Sequence, residues 1–365
     1  STKEMSTITA SGEVAALIPG HSRAIGKEGN AYLDDFEGSQ SPIDIKAVGA
    51  WTLASTPQHN GKGLDDLWPE GNLSDTLPYG YNRAKLAWYT IDPMFLRETQ
   101  NLTPSHYNKE LMSDNFQREI FETELFPKKE STTGYPVPMS TLDLAFYPSE
   151  RGPYNYDAAP LTGISAGADP LTGKLLVPES RWGGIMRKIE TNDFEAANVQ
   201  FIQIWMMDPF NSDCGISQYN TLDPTASGEL ILHLGNISED VLRDQAQSYE
   251  NGLPTTSGTT IDPTHPVKYT SWGRIPDEPT IVNAFDNDPA ARTAQDVGLD
   301  GLKDGNEKEY FDQFLTNISS VSSVAYNSVA DDPSSDDYHH FRGDDYDTQT
   351  LNTLGRYKKF NGLEG

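Results

Sequence analysis

The sequence predicts a mainly β protein, built as an antiparallel β-sandwich of the jelly-roll type with long loops and a few short helices. Three strand-like runs support this class: residues 184–189, 199–207 and 229–234. The second run, VQFIQIWMM, is rich in β-branched and aromatic residues. Long polar connections separate the runs, which is typical of antiparallel sandwiches rather than of βαβ units. We expect 199–207 and 229–234 to be neighbouring central strands with buried side chains.

Two further strands and a helix are predicted before this core. Ala84–Ile91 and Thr141–Tyr147 combine apolar and β-branched residues in short runs, which favours extended chain. Asp114 as the capping residue, with apolar residues at helical spacing after it, predicts a helix near 114–125. These elements lie in a long insertion around 57–180, within a sandwich domain that spans residues 1–275.

Residues 276–365 form a second predicted region, which is acidic and loop-rich. Helical spacing of apolar residues predicts one helix over Glu307–Leu315 and a second near Thr348–Tyr357. A candidate calcium loop, residues 296–307, leads into the first of these helices.

Charge and composition exclude several classes of function. The chain has 365 residues, with 27 Lys and Arg against 54 Asp and Glu, and a formal net charge of −27. Binding to nucleic acid or to an anionic bilayer surface requires an excess of basic residues, so neither is expected. No stretch approaches the roughly 18 consecutive apolar residues of a spanning helix, so the chain is not expected to cross a membrane. The single cysteine, Cys214, excludes an internal disulfide.

The segment DVGLDGLKDGNE, residues 296–307, follows the spacing of a twelve-residue calcium loop. Gly301 occupies the sixth position, where such loops require glycine for a sharp turn. Two positions depart from the pattern, since Gly298 replaces an acidic residue and Lys303 replaces an apolar one. A structural Ca²⁺ is therefore the only cofactor that the sequence suggests, with a metal-free capped turn as the alternative. The predicted ligands are Asp296, Asp300, Leu302, Asp304 and Glu307.

The segment GISAG, residues 163–167, matches the G-x-S-x-G pattern of hydrolases, in which Ser165 would be the nucleophile. That pattern needs a strand before the serine and a helix after it. Pro160 and Pro170 flank the segment closely, so we interpret it as a loop. No catalytic residue is predicted.

Several long blocks of the chain resemble the SprA/Sov cell-surface protein family of Bacteroidota. The resemblance covers nearly the whole chain from about residue 80, and its blocks occur in order. They are residues 81–95, 150–157, 181–210, 234–244, 272–276, 282–302 and 332–347. Members of this family are several times longer than 365 residues, so the chain is expected to be an internal fragment.

The resemblance implies a function that composition alone does not indicate. SprA/Sov proteins are the outer-membrane translocon of the type IX secretion system, a very large β-barrel that exports folded proteins and supports gliding motility. The chain resembles a soluble, non-catalytic region of that protein, expected at its extracellular cap, with a periplasmic position as the alternative. The implied partners are the barrel of the same polypeptide, other subunits of the system and the secreted cargo.

A carbohydrate-binding module on the cell surface is the alternative function. The 181–240 region also resembles carbohydrate-binding jelly rolls, and exposed aromatic rings can stack on sugars. The candidate stacking residues are Trp88, Trp182, Trp205 and Trp272. Most of them lie within apolar strands, so burial in the core is the favoured interpretation.

Overall fold

The computed structural model describes residues 43–57, 67–128, 134–191, 193–195, 199, 201–210, 227–246, 255–256, 260–261, 266–276 and 298–360. The chain divides into two units. One comprises Ser1–Asp44 and Glu190–Gln203, and the other comprises Ile45–Ile189 and Ile204–Gly365. Nearly all described residues belong to the second unit, which continues across the domain boundary predicted at residue 275.

The strands of the described residues form antiparallel pairs, and each pair is a separate two-stranded sheet. The pairs are β1 with β6, β2 with β5, β3 with β4, β7 with β8 and β9 with β10. The strands are β1 Thr52–Leu53, β2 Ala84–Tyr89, β3 Ile120–Phe121, β4 Pro138–Met139, β5 Asp143–Arg151, β6 Ile185–Met186, β7 Thr255–Thr256, β8 Thr260–Ile261, β9 Val267–Thr270 and β10 Gly273–Pro276.

The predicted jelly-roll sandwich is wrong for the part of the chain that the structure describes. Residues 201–207 and 229–234 form no strand ladder there, and their side chains are exposed rather than buried. Phe201 is 79% exposed and Trp205 is 64% exposed. An apolar run becomes a core strand only where a neighbouring strand and a facing layer cover it. The described residues supply neither cover for these two runs.

The strands predicted upstream are confirmed. β2 and β5 pair antiparallel over their length, with a register irregularity between Ala84 and Lys85. They form the longest pair among the described residues, although the sequence predicted an insertion at this place. Of the strand predicted at 184–189, only the β6 residues are paired, and their partner is β1.

β2 lies between two hydrophobic cores. Successive side chains of a strand point to opposite faces. Trp88 accordingly packs in the first core, which also contains Trp272 and Phe314, whereas Ala87 and Tyr89 pack in the second. The second core is an aromatic stack, in which the ring of Tyr357 lies 4.2 Å from that of Tyr89 and 4.7 Å from that of Phe341.

The helices among the described residues are short and lie mostly in the last sixty positions. They are α1 Pro93–Leu96, α2 Lys109–Met112, α3 Glu122–Leu125, α4 Asp304–Tyr310, α5 Asp312–Val321, α6 Ser323–Asn327, α7 Asp344–Thr348 and α8 Thr353–Tyr357. The helix predicted over 307–315 is present as α4 and α5, and Phe311 separates the two helices. The helix predicted near 348–357 is divided into α7 and α8.

The single helix predicted near 114–125 is wrong. Asp114 does not cap a helix, because its Oδ1 accepts the N–H of Phe116 at 3.1 Å in a local turn. Residues 120–121 instead pair with β4. Only Glu122–Leu125 is helical in the predicted range, since the turn and the strand pairing use the backbone groups before it.

A buried ion pair fastens the loops beside β2. Arg181 Nη1 lies 2.9 Å from Asp157 Oδ2, and both side chains are fully buried. The guanidinium also donates to the carbonyl oxygens of Tyr81 at 2.7 Å, Leu176 at 3.0 Å and Gly167 at 3.2 Å. Four loop segments are thus held by one side chain.

We expect Arg181→Met to lower the free energy of unfolding by about 3–5 kcal/mol, because it leaves the Asp157 carboxylate buried without its counter-charge. Urea unfolding followed by circular dichroism measures the loss. The matched control is Arg97→Met, which removes a surface pair with Glu119. Arg97 is 58% exposed, so its loss should cost less than about 1 kcal/mol. Equal losses in both variants would contradict this role for Arg181.

Candidate metal centre

Four acidic residues from two distant segments meet beside the first core. Glu307, Asp332 and Asp336 each offer one carboxylate oxygen, and these three oxygens lie within 4.8 Å of one another. Asp300 adjoins them through Ser334, whose hydroxyl donates to Asp300 Oδ2 at 2.5 Å. We call these four acidic residues the carboxylate cluster.

A sharp turn and a helix place the first two members. Asp300 lies in the turn that precedes α4, and Glu307 lies on the buried face of α4. Gly301 has a φ of +73°, and a Cβ at this position would lie 1.7 Å from the carbonyl oxygen of Arg274. Only glycine fits this turn, as the sixth position of the predicted calcium loop requires.

The loop at 332–336 places the other two members. Asp336 Oδ2 accepts the backbone N–H groups of Leu299 at 2.6 Å and Asp300 at 3.0 Å. Asp332 Oδ1 accepts the N–H of Asp336 at 3.1 Å. The two bonds of Asp336 Oδ2, together with the N–H of Ser334 that donates to Glu307 Oε2 at 3.2 Å, dock the 332–336 loop onto the turn before α4 and onto α4 itself, so the two segments form one site.

Burial dominates the electrostatics of the cluster. Burial, together with repulsion from the neighbouring carboxylates, raises the pKa of Asp300 to about 7 and that of Glu307 to about 9. The pKa of Asp336 is raised well above its ordinary value for the same reasons, and that of Asp332 is raised mainly by burial. Carboxyl groups this close in a protein interior cannot all be ionised. Some of them keep a proton, or a cation lies between them.

The structure brings together part of the predicted calcium set. Asp300 and Glu307 belong to the cluster, and Leu302 donates its N–H to Asp300 Oδ1 at 2.7 Å. Asp304 lies in the first turn of α4 and is not one of the three convergent carboxylates. Asp296 lies outside the described residues. That a calcium ion binds this loop stays a prediction.

Sequence reasoning missed Asp332 and Asp336 as site residues. Their segment, DPSSDDY, belongs to one of the blocks that carry the family resemblance, but nothing in its spacing indicates contact with a loop thirty residues earlier. The available signal is two acidic pairs, Asp331–Asp332 and Asp336–Asp337, and such pairs occur too often in a chain of this charge to be specific.

Ser165, the predicted candidate nucleophile, lies in a different polar network. Its hydroxyl donates to Asp157 Oδ1 at 2.8 Å, and Asp157 is the partner of Arg181. Activation of a serine requires a base oriented to take its proton, and here the hydroxyl contacts an acceptor that a guanidinium already neutralises. The contact fixes the 161–168 loop.

The four candidate stacking tryptophans have different environments. Trp88 and Trp272 are buried in the first core. Trp182 is partly buried, and its Nε1 donates to Glu70 Oε1 at 2.8 Å. Trp205 is the exposed member of the four, with an edge contact to the ring of Phe126 at 6.1 Å.

The raised pKa values predict a pH-dependent stability. In metal-free buffer, we expect the free energy of unfolding to fall as the pH rises from about 4.5, the ordinary value for Glu, to about 9. Up to about pH 7 the folded protein retains protons at Asp300 and Glu307 that the unfolded chain has released, and from there to about pH 9 it retains the proton of Glu307 alone. Below the range both states are protonated, and the stability is fully present.

Urea unfolding at a series of pH values in chelator measures this slope. Glu307→Gln should make the slope shallower by up to about 1.4 kcal/mol per pH unit, because the amide cannot ionise. Glu309→Gln, on the exposed face of the same helix, is the matched control and should leave the slope unchanged. A Glu307→Gln slope equal to that of the wild type would contradict the assignment.

None of the helices formed by the described residues has the length and the hydropathy that crossing a bilayer requires. No protein-family model matches the chain, and no curated protein sequence is significantly similar to it.

Proposed function

We propose that this chain is a non-catalytic region of an outer-membrane translocon of the type IX secretion system. The proposal rests on the ordered sequence blocks that resemble the SprA/Sov family. In this role the region would act sterically, by closing or shaping the outer mouth of the export channel, and its loops would contact partner subunits or cargo.

The position of the resembling blocks in the fold carries the proposal. Blocks that lie far apart in the sequence meet in one buried framework. Asp157 pairs with Arg181, the ring of Tyr154 lies 6.1 Å from that of Trp272, and the N–H of Tyr154 donates to the carbonyl oxygen of Ser334 at 3.3 Å. Contacts between residues of separate resembling blocks support a shared fold over chance matches in loops.

The exposed apolar runs support a place within a larger polypeptide. Residues 201–207 and 230–234 present large apolar side chains to solvent in the chain taken alone. Exposed apolar surface of this kind marks contact with another protein surface. In the proposed setting, the barrel of the same polypeptide would cover these runs.

The net charge of −27 fits an outward-facing position. A strongly acidic surface repels anionic cell-surface glycans and keeps the protein from adhering to them. We therefore place the region on the extracellular side of the outer membrane, and the periplasmic side is the alternative that the following experiment distinguishes.

Cysteine labelling tests the location. In the whole translocon, with every cysteine including Cys214 replaced by serine, Leu171→Cys introduces a thiol at a site that is 81% exposed. We expect a membrane-impermeant maleimide to label it on intact cells. Ala325→Cys is the buried control and should react only after denaturation. Labelling of Leu171→Cys only after outer-membrane permeabilisation would place the region in the periplasm.

Deletion of the region tests the function itself. Cells whose translocon gene lacks residues 45–360 should retain type IX cargo inside the cell, as measured by immunoblots of the culture medium. Normal export by the deleted translocon, at normal protein abundance, would contradict the proposed role whatever the labelling result.

Carbohydrate binding is the second candidate function. The observation that favours it is the exposed ring of Trp205, which is free of the core and could stack on a sugar. A sugar-binding role predicts glycan-array binding that is lost in Trp205→Ala and retained in Tyr135→Ala, which alters another exposed aromatic side chain. Absence of binding by the wild-type chain would remove this candidate.

A further inference from the structure

The spacing of the carboxylate cluster suits a cation with oxygen ligands. Two oxygens that each lie about 2.4 Å from a common Ca²⁺ are at most about 4.8 Å apart. The ligand oxygens of Glu307, Asp332 and Asp336 lie within 4.8 Å of one another. The group contains no histidine or cysteine, so its chemistry favours hard cations over zinc or copper.

Asp336 occupies the place of the ligand that the calcium loop lacks. Position 298, the third of the loop, is glycine where calcium loops have an acidic or amide side chain. Its φ is +54°, and a Cβ at this position would lie 2.5 Å from Asp336 Oδ2 and 2.6 Å from Oδ1. The carboxylate of Asp336 therefore fills the space into which a side chain at 298 would project.

The carboxylate of Asp336 is also incompletely satisfied. Its Oδ2 accepts two backbone N–H groups, but its Oδ1 has no hydrogen-bond partner among the described residues. Asp336 is 98% buried, with only 2% of its surface exposed. A buried acceptor without a partner is costly, and a bound cation between it and the facing carboxylates would remove that cost.

We propose that one Ca²⁺ ion binds between Glu307, Asp332 and Asp336, and that Asp336 replaces in space the ligand missing at position 298. Three carboxylates from a short helix and an irregular loop suit calcium, which accepts variable geometry, better than magnesium, which requires a regular octahedron. The ion would join the turn before α4 to the 332–336 loop. Asp300, with both oxygens hydrogen-bonded, would position Ser334 beside the site.

Thermal unfolding of the full chain tests this site. We compare the melting temperature in millimolar CaCl₂, in MgCl₂ at equal ionic strength and in chelator. Free Ca²⁺ at about a hundred times its Kd should raise the melting temperature by about 3–4 °C over chelator, and Mg²⁺ should raise it clearly less. No rise with Ca²⁺, or an equal rise with both cations, would overturn the proposal.

Asp336→Asn and its matched control identify the ligand. Asp336→Asn keeps a similar shape but loses the charge, so the calcium-dependent rise should disappear. Its melting temperature in chelator should equal or exceed that of the wild type, because one buried carboxylate has been removed. Asp331→Asn changes a neighbouring carboxylate whose side chain is fully exposed, and it should retain the whole rise. A full rise in Asp336→Asn would overturn the proposal.

Terbium luminescence gives a readout that needs no variant. Tb³⁺ substitutes for Ca²⁺ in oxygen sites, and it emits when a nearby excited tyrosine transfers energy to it. Tyr156 lies beside the site, since its hydroxyl is 3.0 Å from Ser334 Oγ. The wild-type chain should give tyrosine-sensitised emission that Ca²⁺ displaces. Emission that is absent, or that Ca²⁺ does not displace, would overturn the proposal.

Discussion

The ion pair of Asp157 and Arg181 is the constraint on which the surrounding loops depend. A carboxylate and a guanidinium removed from water each cost several kcal/mol, and the cost is offset only when their hydrogen bonds are satisfied together. Arg181 meets this requirement with the carboxylate and three carbonyl oxygens, and Asp157 meets it with Arg181 and the Ser165 hydroxyl. Loops that would otherwise move independently must therefore be in place at once. The ion pair therefore explains how these loops keep a defined arrangement although the neighbouring sheets have only two strands each.

The carboxylate cluster is the opposite case, because no arginine side chain among the described residues donates a hydrogen bond to its carboxylates. Half of this site was predictable, since Asp300 and Glu307 lie in one local pattern whose glycine and helix the structure confirms. Asp332 and Asp336 were not predictable, because they reach the site through tertiary contacts of the 332–336 loop. The spacing of residues within one loop predicts candidate ligands of that loop. It does not predict a side chain that tertiary contacts bring from another segment.

The same distinction separates the confirmed strands from the rejected sandwich. β2 was predictable because its alternation matches two cores that lie on its two faces. The run at 201–207 has stronger β-forming composition, yet it is exposed and unpaired among the described residues. Composition reports the preference of a segment for extended chain and for burial. It does not report whether the partner that would bury it belongs to the same stretch of polypeptide.

The position of β2 between two cores has a consequence for how the larger unit comes apart. Trp88 belongs to one core and its neighbours Ala87 and Tyr89 belong to the other. Detachment of β2 would therefore remove buried side chains from both cores at once. Melting should consequently occur as one cooperative transition in these parts of the unit. Neither half could be excised as an autonomous fragment, and evolutionary insertions would be tolerated in the connecting loops but not within these six residues.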